Sequence, residues 1–288
     1  GNDTIVWKFF HEFLTDTITC EQPVTILSSQ APIFECSSLD EIIDTTDECN
    51  IEATEIVNVP SAELPCGLGS VNGVGARKSG KALTDPFVIG NDTIVWKFFH
   101  ELLTDTVTCE QPVTIISKQA PIFKCEDLKE IIDTTDNCSI DANEIVIVQK
   151  AAIPCELDSV SGVGYRKSGL AMTDPFEIGN DTIVWKFFHE FLTDTITCEQ
   201  PVTILSSQAP IFECSSLDEI IDTTDECNIE ATEIVNVPSA ELPCGLGSVN
   251  GVGARKSGLA MTDPFEIGND TIVWKFFHEF LTDTITCE

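Results

Sequence analysis

Basic residues are scarce in this chain. Among 288 residues there are 15 Lys and Arg against 48 Asp and Glu, a formal net charge of −33. Spread along the length, that is roughly −10 for every 89 residues. Nucleic acid is excluded as a partner, because a polyphosphate needs a basic footprint. Anionic lipid is disfavoured for the same reason. No apolar run approaches the ~20 residues of a membrane helix, so no membrane insertion is expected in this segment, and no leader peptide opens it. Sites of chemistry are missing as well. No Cys-x-x-Cys pair suggests zinc. No Asp-x-Asp-x-Asp-Gly loop suggests a calcium hand. Lys78-Ser79 follows Arg77 where a phosphate loop needs glycine, and Gly73-Val-Gly75 lacks the third glycine of a dinucleotide turn. No Gly-x-Ser-x-Gly elbow marks an esterase. The chain is therefore read as non-catalytic and free of cofactors. The one exception left open by its acidity is Ca2+ held between domains. The simpler role of the charge is to keep crowded neighbours soluble and apart.

What the sequence does have is repetition. The motif Gly-Asn-Asp-Thr begins at residues 1, 90, 179 and 268, a period of 89, and residues 1–80 and 179–258 are identical. A solenoid unit runs about 20–50 residues, so this period instead suits a small domain with its own core. The chain opens inside a repeat at Gly1, and is expected to be an excerpt of a longer polypeptide.

Each copy of the motif starts a stretch read as a β-hairpin. The first arm, Thr93 to Phe99, is rich in β-branched and aromatic residues. In the second arm, Asp105 to Ile115, Val107, Cys109, Val113 and Ile115 share one parity and Thr106, Thr108, Glu110 and Thr114 the other, the period of a strand with one face on a core. A helical stripe through Ile94, Val95, Phe98, Phe99 and Leu102 competes for the first arm, but its β-branched content favours strand. Trp7, Trp96, Trp185 and Trp274 lie among Ile, Val and Phe and are expected in the core rather than as sugar platforms. His11, His100, His189 and His278 are one turn position repeated, without a second ligand nearby.

Thirteen cysteines recur with gaps of 16, 13, 17 and 43. Starting each domain after Ser29 gives three complete sets: Cys36, Cys49, Cys66, Cys109; Cys125, Cys138, Cys155, Cys198; and Cys214, Cys227, Cys244, Cys287. Cys20 is left over and is expected to pair with a preceding domain. Four cysteines per domain read as two disulfides in an oxidising compartment, each contributing ~2–4 kcal/mol. Spacing allows three connectivities. Strand parity favours Cys49 with Cys109 and Cys36 with Cys66, repeated as Cys138 with Cys198 and Cys125 with Cys155, and so on. The register gives 1–29 as the closing hairpin of a preceding domain, then domains 30–118, 119–207 and 208–288.

Within one domain, Gln30 to Cys36 opens the unit and Leu39 to Thr45 is a short segment. Asp47 to Asn50 is a turn and Ile51 to Val59 a strand. Residues 62–80, dense in glycine, are expected to form a long flexible connection with a short strand near Val71. Short strands between Gly, Pro, Asn and Asp signals indicate an all-β sandwich. In this order, Pro-Ile-Phe-Glu-Cys36, Asp-Glu-Cys-Asn-Ile-Glu-Ala53, Pro-Cys-Gly67, the Trp96 strand and Asp-Thr-Val-Thr-Cys-Glu-Gln-Pro-Val-Thr-Ile115 resemble hyalin-repeat domains. That resemblance implies tandem immunoglobulin-like β-sandwiches of very large secreted bacterial surface proteins, similar to gliding-motility-type adhesins of Bacteroidota. The His-Glu-Leu-Leu-Thr-Asp turn at 100–105 departs from the family, whose turn usually carries glycine.

Two further features are candidates for function. Arg77-Lys78, Arg166-Lys167 and Arg255-Lys256 are basic spots suited to contact with a neighbouring domain. Asn2, Asn91, Asn180 and Asn269 open Asn-Asp-Thr glycosylation sequons. The sequence thus points to a structural segment of an extracellular, cell-surface fibre or adhesin stalk, with neighbouring copies of itself as partners. Recognition of surface glycans by each repeat is the alternative.

Overall fold

A computed structural model describes residues 1–155 and 158–288 of the chain, which is all-β. Its strands in order are β1 (Asn2–Phe9), β2 (Ile18–Thr25), β3 (Ile42–Thr46), β4 (Asn50–Ile51), β5 (Ser61–Glu63), β6 (Ser70–Asn72), β7 (Val74–Arg77), β8 (Phe87–Val88), β9 (Gly90–Phe98) and β10 (Val107–Ser117). The next 89 residues repeat this order as β11 (Ile131–Thr135), β12 (Ser139–Ile140), β13 (Lys150–Ala152), β14 (Ser159–Ser161), β15 (Val163–Arg166), β16 (Phe176–Glu177), β17 (Gly179–Phe187) and β18 (Ile196–Ser206). Two compact units result. Unit 1 is 1–122 with 152–158 and 188–195, and unit 2 is 123–151, 159–187 and 196–288. Their limits cut across the sequence repeats.

The hairpin β9–β10 is the centre of unit 1. It pairs antiparallel with Trp96 opposite Cys109 and Val113 opposite Asp92. Ile94, Trp96 and Phe98 face inward from one arm and Cys109, Val113 and Ile115 from the other, all buried. Alternation with one dry face is what β-branched and aromatic residues support best, and each such side chain contributes about 1.5–3 kcal/mol on burial. The buried indole is not left unpaired, since Trp96 Nε1 donates to Gln111 Oε1 at 2.9 Å. The turn does without glycine because His100 closes it. Its Nδ1 accepts from the Leu102 N–H at 3.2 Å, and its carbonyl accepts from the Leu103 N–H at 3.0 Å.

Strand β3 lies parallel to β10, Ile42 opposite Val113, and β7 lies antiparallel to β9, giving a sheet ordered β3-β10-β9-β7. Unit 2 holds the same sheet as β11-β18-β17-β15. In each unit, smaller two-stranded pairings such as β4–β8 and β5–β6 flank it.

Two expectations for the connections change. The stretch from Ile51 is not one strand. β4 ends after Ile51, and a single helical turn, α1 (Ala53–Ile56), follows. Three-residue spacing brings Ala53 and Ile56 onto the same buried side, which an extended chain would not do. The glycine-rich stretch 62–80 is structured rather than a loose connection, for it holds β6 and β7. Gly75 sits opposite Trp96, and a Cβ there would meet Leu83 Cδ2 at 2.7 Å and Trp96 Cζ3 at 2.8 Å. A Cβ at Gly73 would meet Phe98 Cε1 at 2.9 Å. These glycines let the two rings lie against bare backbone.

The hairpin β1–β2 has the register of β9–β10, with Trp7 opposite Cys20 and Trp7 Nε1 donating to Gln22 Oε1 at 2.8 Å. Trp7 is 49% exposed where Trp96 is 0%.

Candidate functional site at the junctions between repeats

Five disulfides place the protein in an oxidising environment. Their connectivity differs from the parity argument. Cys36 pairs with Cys109, Cys125 with Cys198 and Cys214 with Cys287, each inside one repeat. Cys49 pairs with Cys155 and Cys138 with Cys244, each reaching into the next repeat across 106 residues, with Cα–Cα 5.2 Å. Cys109 does point inward, as its parity requires, but Cys49 precedes β4 in an exposed loop and never reaches that face. Cys20, Cys66 and Cys227 are free and exposed.

The residue that receives the cross-repeat bond sits on an unusual turn. Cys155 and Cys244 have φ of 68° and 59°, left-handed values that cost a residue with a Cβ about 1–2 kcal/mol. Each follows a buried proline, Pro154 or Pro243. Free Cys66, after Pro65, has φ 58°. The conformation therefore belongs to the turn itself, not to the bond.

A backbone contact accompanies each bridge. In unit 1 the Ser117 N–H donates to the Phe191 carbonyl at 2.8 Å, and the Thr193 N–H donates to the Ser117 carbonyl at 2.9 Å. The tip of the following hairpin is thereby seated on the end of β10. Phe191 and Cys155 pack on the unit 1 core. Unit 2 repeats the arrangement, with Ser206 bonded to Phe280 and Thr282, and Phe280, Cys244 and Leu246 on its core. Ser28 holds Leu102 and Thr104 in the same way. The cores around Trp96 and Trp185 are thus each finished by two segments from the next repeat.

The basic pairs serve their own repeats. Arg77 is buried, its Nε donating to Asp92 Oδ2 at 2.7 Å and its Nη1 to the Asp85 and Pro86 carbonyls, with its guanidinium 3.8 Å from the Phe87 ring centre. Arg166 and Arg255 make the equivalent bonds to Asp181 and Asp270. No arginine of the three is exposed for docking. Burial alone would raise the pKa of Asp92, but hydrogen bonds from Ser79, the Thr93 N–H and Arg77, with the charge of Arg77, outweigh it and hold the carboxyl below its usual range. Asp181 is lowered in the same way, burial again opposing and Arg166 leading the bonds that win. Asp270 is held low chiefly by Ser257 and Arg255. Lys78 and Lys167 are exposed and pair with Glu110 and Glu199 on their own hairpins. Lys256 pairs likewise with Glu288.

Asn91 and Asn180 stand exposed on β9 and β17, each accepting a hydrogen bond from a neighbouring threonine hydroxyl, Thr114 or Thr203. Asn2 and Asn269 are exposed too. Asp44, Asp47, Glu48 and Glu55 line an open groove with Lys118, whose Nζ lies 3.8 Å from Asp47 Oδ2. Among the described residues, no three His, Cys, Asp or Glu side chains converge to hold a metal ion.

No family model and no curated protein matches the sequence. Among solved structures, an endo-fucoidan hydrolase variant from glycoside hydrolase family 107 aligns at 9% identity over 72% of this chain and 34% of that one, with a TM-score of 0.17. The chain thus spans about a third of that protein, and a likeness so slight carries no argument about fold or function.

Proposed function

We propose that this chain is a structural, non-catalytic segment of an extracellular surface fibre or adhesin stalk, built from tandem immunoglobulin-like repeats. In this reading 1–29 closes a preceding repeat, and 30–118, 119–207 and 208–288 are successive repeats. The observation that supports it most is the offset bond, Cys49 to Cys155 and Cys138 to Cys244. A bond from each repeat to the next lets tension pass between repeats through sulfur as well as through backbone. A bridge closing about 100 residues is worth ~4–5 kcal/mol in the chain-entropy account. The strong like charge keeps parallel fibres apart. Recognition of surface glycans is the weaker reading, because Trp96 and Trp185 are buried and offer no ring to a sugar.

Electron microscopy of the native protein tests the proposal. A beaded filament with one bead every ~30–45 Å is expected, from strands of 8–10 residues at ~3.3 Å plus loops. Isolated globules would count against it. Single-molecule pulling adds a second measurement. Reduction is expected to lengthen the extension released per repeat several-fold, because the bridges confine most of each repeat to closed loops.

A further inference from the structure

We infer that each hairpin tip seated on the preceding repeat is held in shape by a neutral histidine, and that mild acid releases it. The ring is His189 in unit 1 and His278 in unit 2. The Phe191 N–H donates to His189 Nδ1 at 3.3 Å, and the Phe280 N–H donates to His278 Nδ1 at 3.3 Å. His100 receives the Leu102 N–H in the same way at 3.2 Å. A ring nitrogen that accepts carries no hydrogen, so each imidazole is neutral with its hydrogen on Nε2.

What that bond fixes is the seat. The backbone of Phe191 is held on two sides. Its N–H goes to His189, and its carbonyl accepts from the Ser117 N–H at 2.8 Å. Its ring packs half-buried on the unit 1 core, and the next residue, Leu192, is buried and bridges to Ser117, which is buried completely. A protonated imidazole has two N–H donors and no acceptor. In His189 the added hydrogen points at the Phe191 N–H, so the ring turns away and leaves that N–H without its partner. The seated tip therefore excludes the extra proton, and the released tip accepts it. Acid favours the state that binds more protons. The seat is complete in neutral medium and weakens as pH falls through the range in which imidazoles charge, roughly pH 8 to 5.

The charges around the ring do not replace the lost bond. Glu190 and Asp194 lie on the tip itself. Against it lie the end of β10 and the start of β9, where a Cβ at Gly90 would meet Phe191 Cε2 at 4.0 Å. There Lys118 faces Asp47 at 3.8 Å, and Asp92 is committed to Arg77. Cys155, the other residue seated on this core, is bridged and does not titrate. At the second seat Glu279 and Asp283 lie on the tip, Ser207 stands where Lys118 does, and Asp181 is committed to Arg166. Among the described residues no carboxylate is bonded to these imidazoles. The Cys49–Cys155 bridge is untouched by protons, so acid gives the junction slack without parting it. This response is independent of whether the chain serves in a fibre.

Amide hydrogen exchange of the full oxidised chain, read by mass spectrometry, tests the release. Residues 113–122 occur once in the sequence, so peptides covering Ser117 are unambiguous. After correction for intrinsic exchange, protection of the Ser117 amide is expected to fall at least about fivefold between about pH 7.5 and about pH 5.5, the loss of one ordinary hydrogen bond. The amides of Cys109 and Glu110, on the same strand, are expected to stay within about twofold. His189→Asn offers an acceptor at the same place that takes up no proton in this range, and is expected to abolish the fall. His278→Asn, at the other seat, is expected to leave the fall at Ser117 as it was. No fall in the parent chain, a fall that persists in His189→Asn, or one shared equally by Cys109 and Glu110 would overturn the inference.

Discussion

At the scale of single residues, Arg77 stands out because it is a buried cation satisfied on three sides. Arg77→Ala strands the Asp92 carboxylate and two carbonyls, and is expected to cost about 3–5 kcal/mol by urea unfolding. Arg77→Lys should recover little, since an ammonium has no fork to reach Asp92 and the carbonyls of Asp85 and Pro86 together. The same cluster sets an acid limit. A carboxyl whose folded pKa is depressed adds stability that is complete above its unfolded value of about 3.9 and drains away as pH falls toward the folded value. Asp92, Asp181 and Asp270 are all lowered. Replacing all three with Asn is expected to lower stability near neutral pH and to flatten its decline below about pH 4, which urea midpoints across that range would show. Gly75→Ala presses a methyl group against Trp96 and Leu83, and should cost about 1–3 kcal/mol in the same assay.

At the scale of elements, the bridges can be counted. Thirteen cysteines and five bridges leave three free thiols, Cys20, Cys66 and Cys227. Thiol titration of the unreduced monomer in denaturant is expected to give three, whereas pairing wholly inside repeats would give one. Why sequence favoured the wrong pairing has a physical answer. Cys66 and Cys155 occupy one phase of the 89-residue period, so spacing cannot tell a partner in the same repeat from one in the next. The hairpin, by contrast, was open to inspection, because alternation in Val107 to Ile115 is a local property of one strand and burial follows it directly. Gly73 and Gly75 were opaque because the rings that demand them belong to β9, some twenty residues on. The basic spots misled for a similar reason. Arg77 looks like surface charge until Asp92, Asp85 and Phe87 are known to surround it.

At the scale of the whole molecule, the offset bridges overlap along the chain. The loop closed by Cys49 and Cys155 contains Cys138, from which the next long loop starts, and the short loops extend the coverage from Cys36 to Cys287. Every peptide bond between those two residues is therefore spanned by sulfur. A protease that clips the backbone once in that range should release nothing. A non-reducing gel is expected to show a single band of full mass, which reductant then splits in two. Had each repeat kept its cysteines to itself, a clip between 110 and 124 would part the chain. This overlap means that one wound anywhere along that span still leaves a continuous tether.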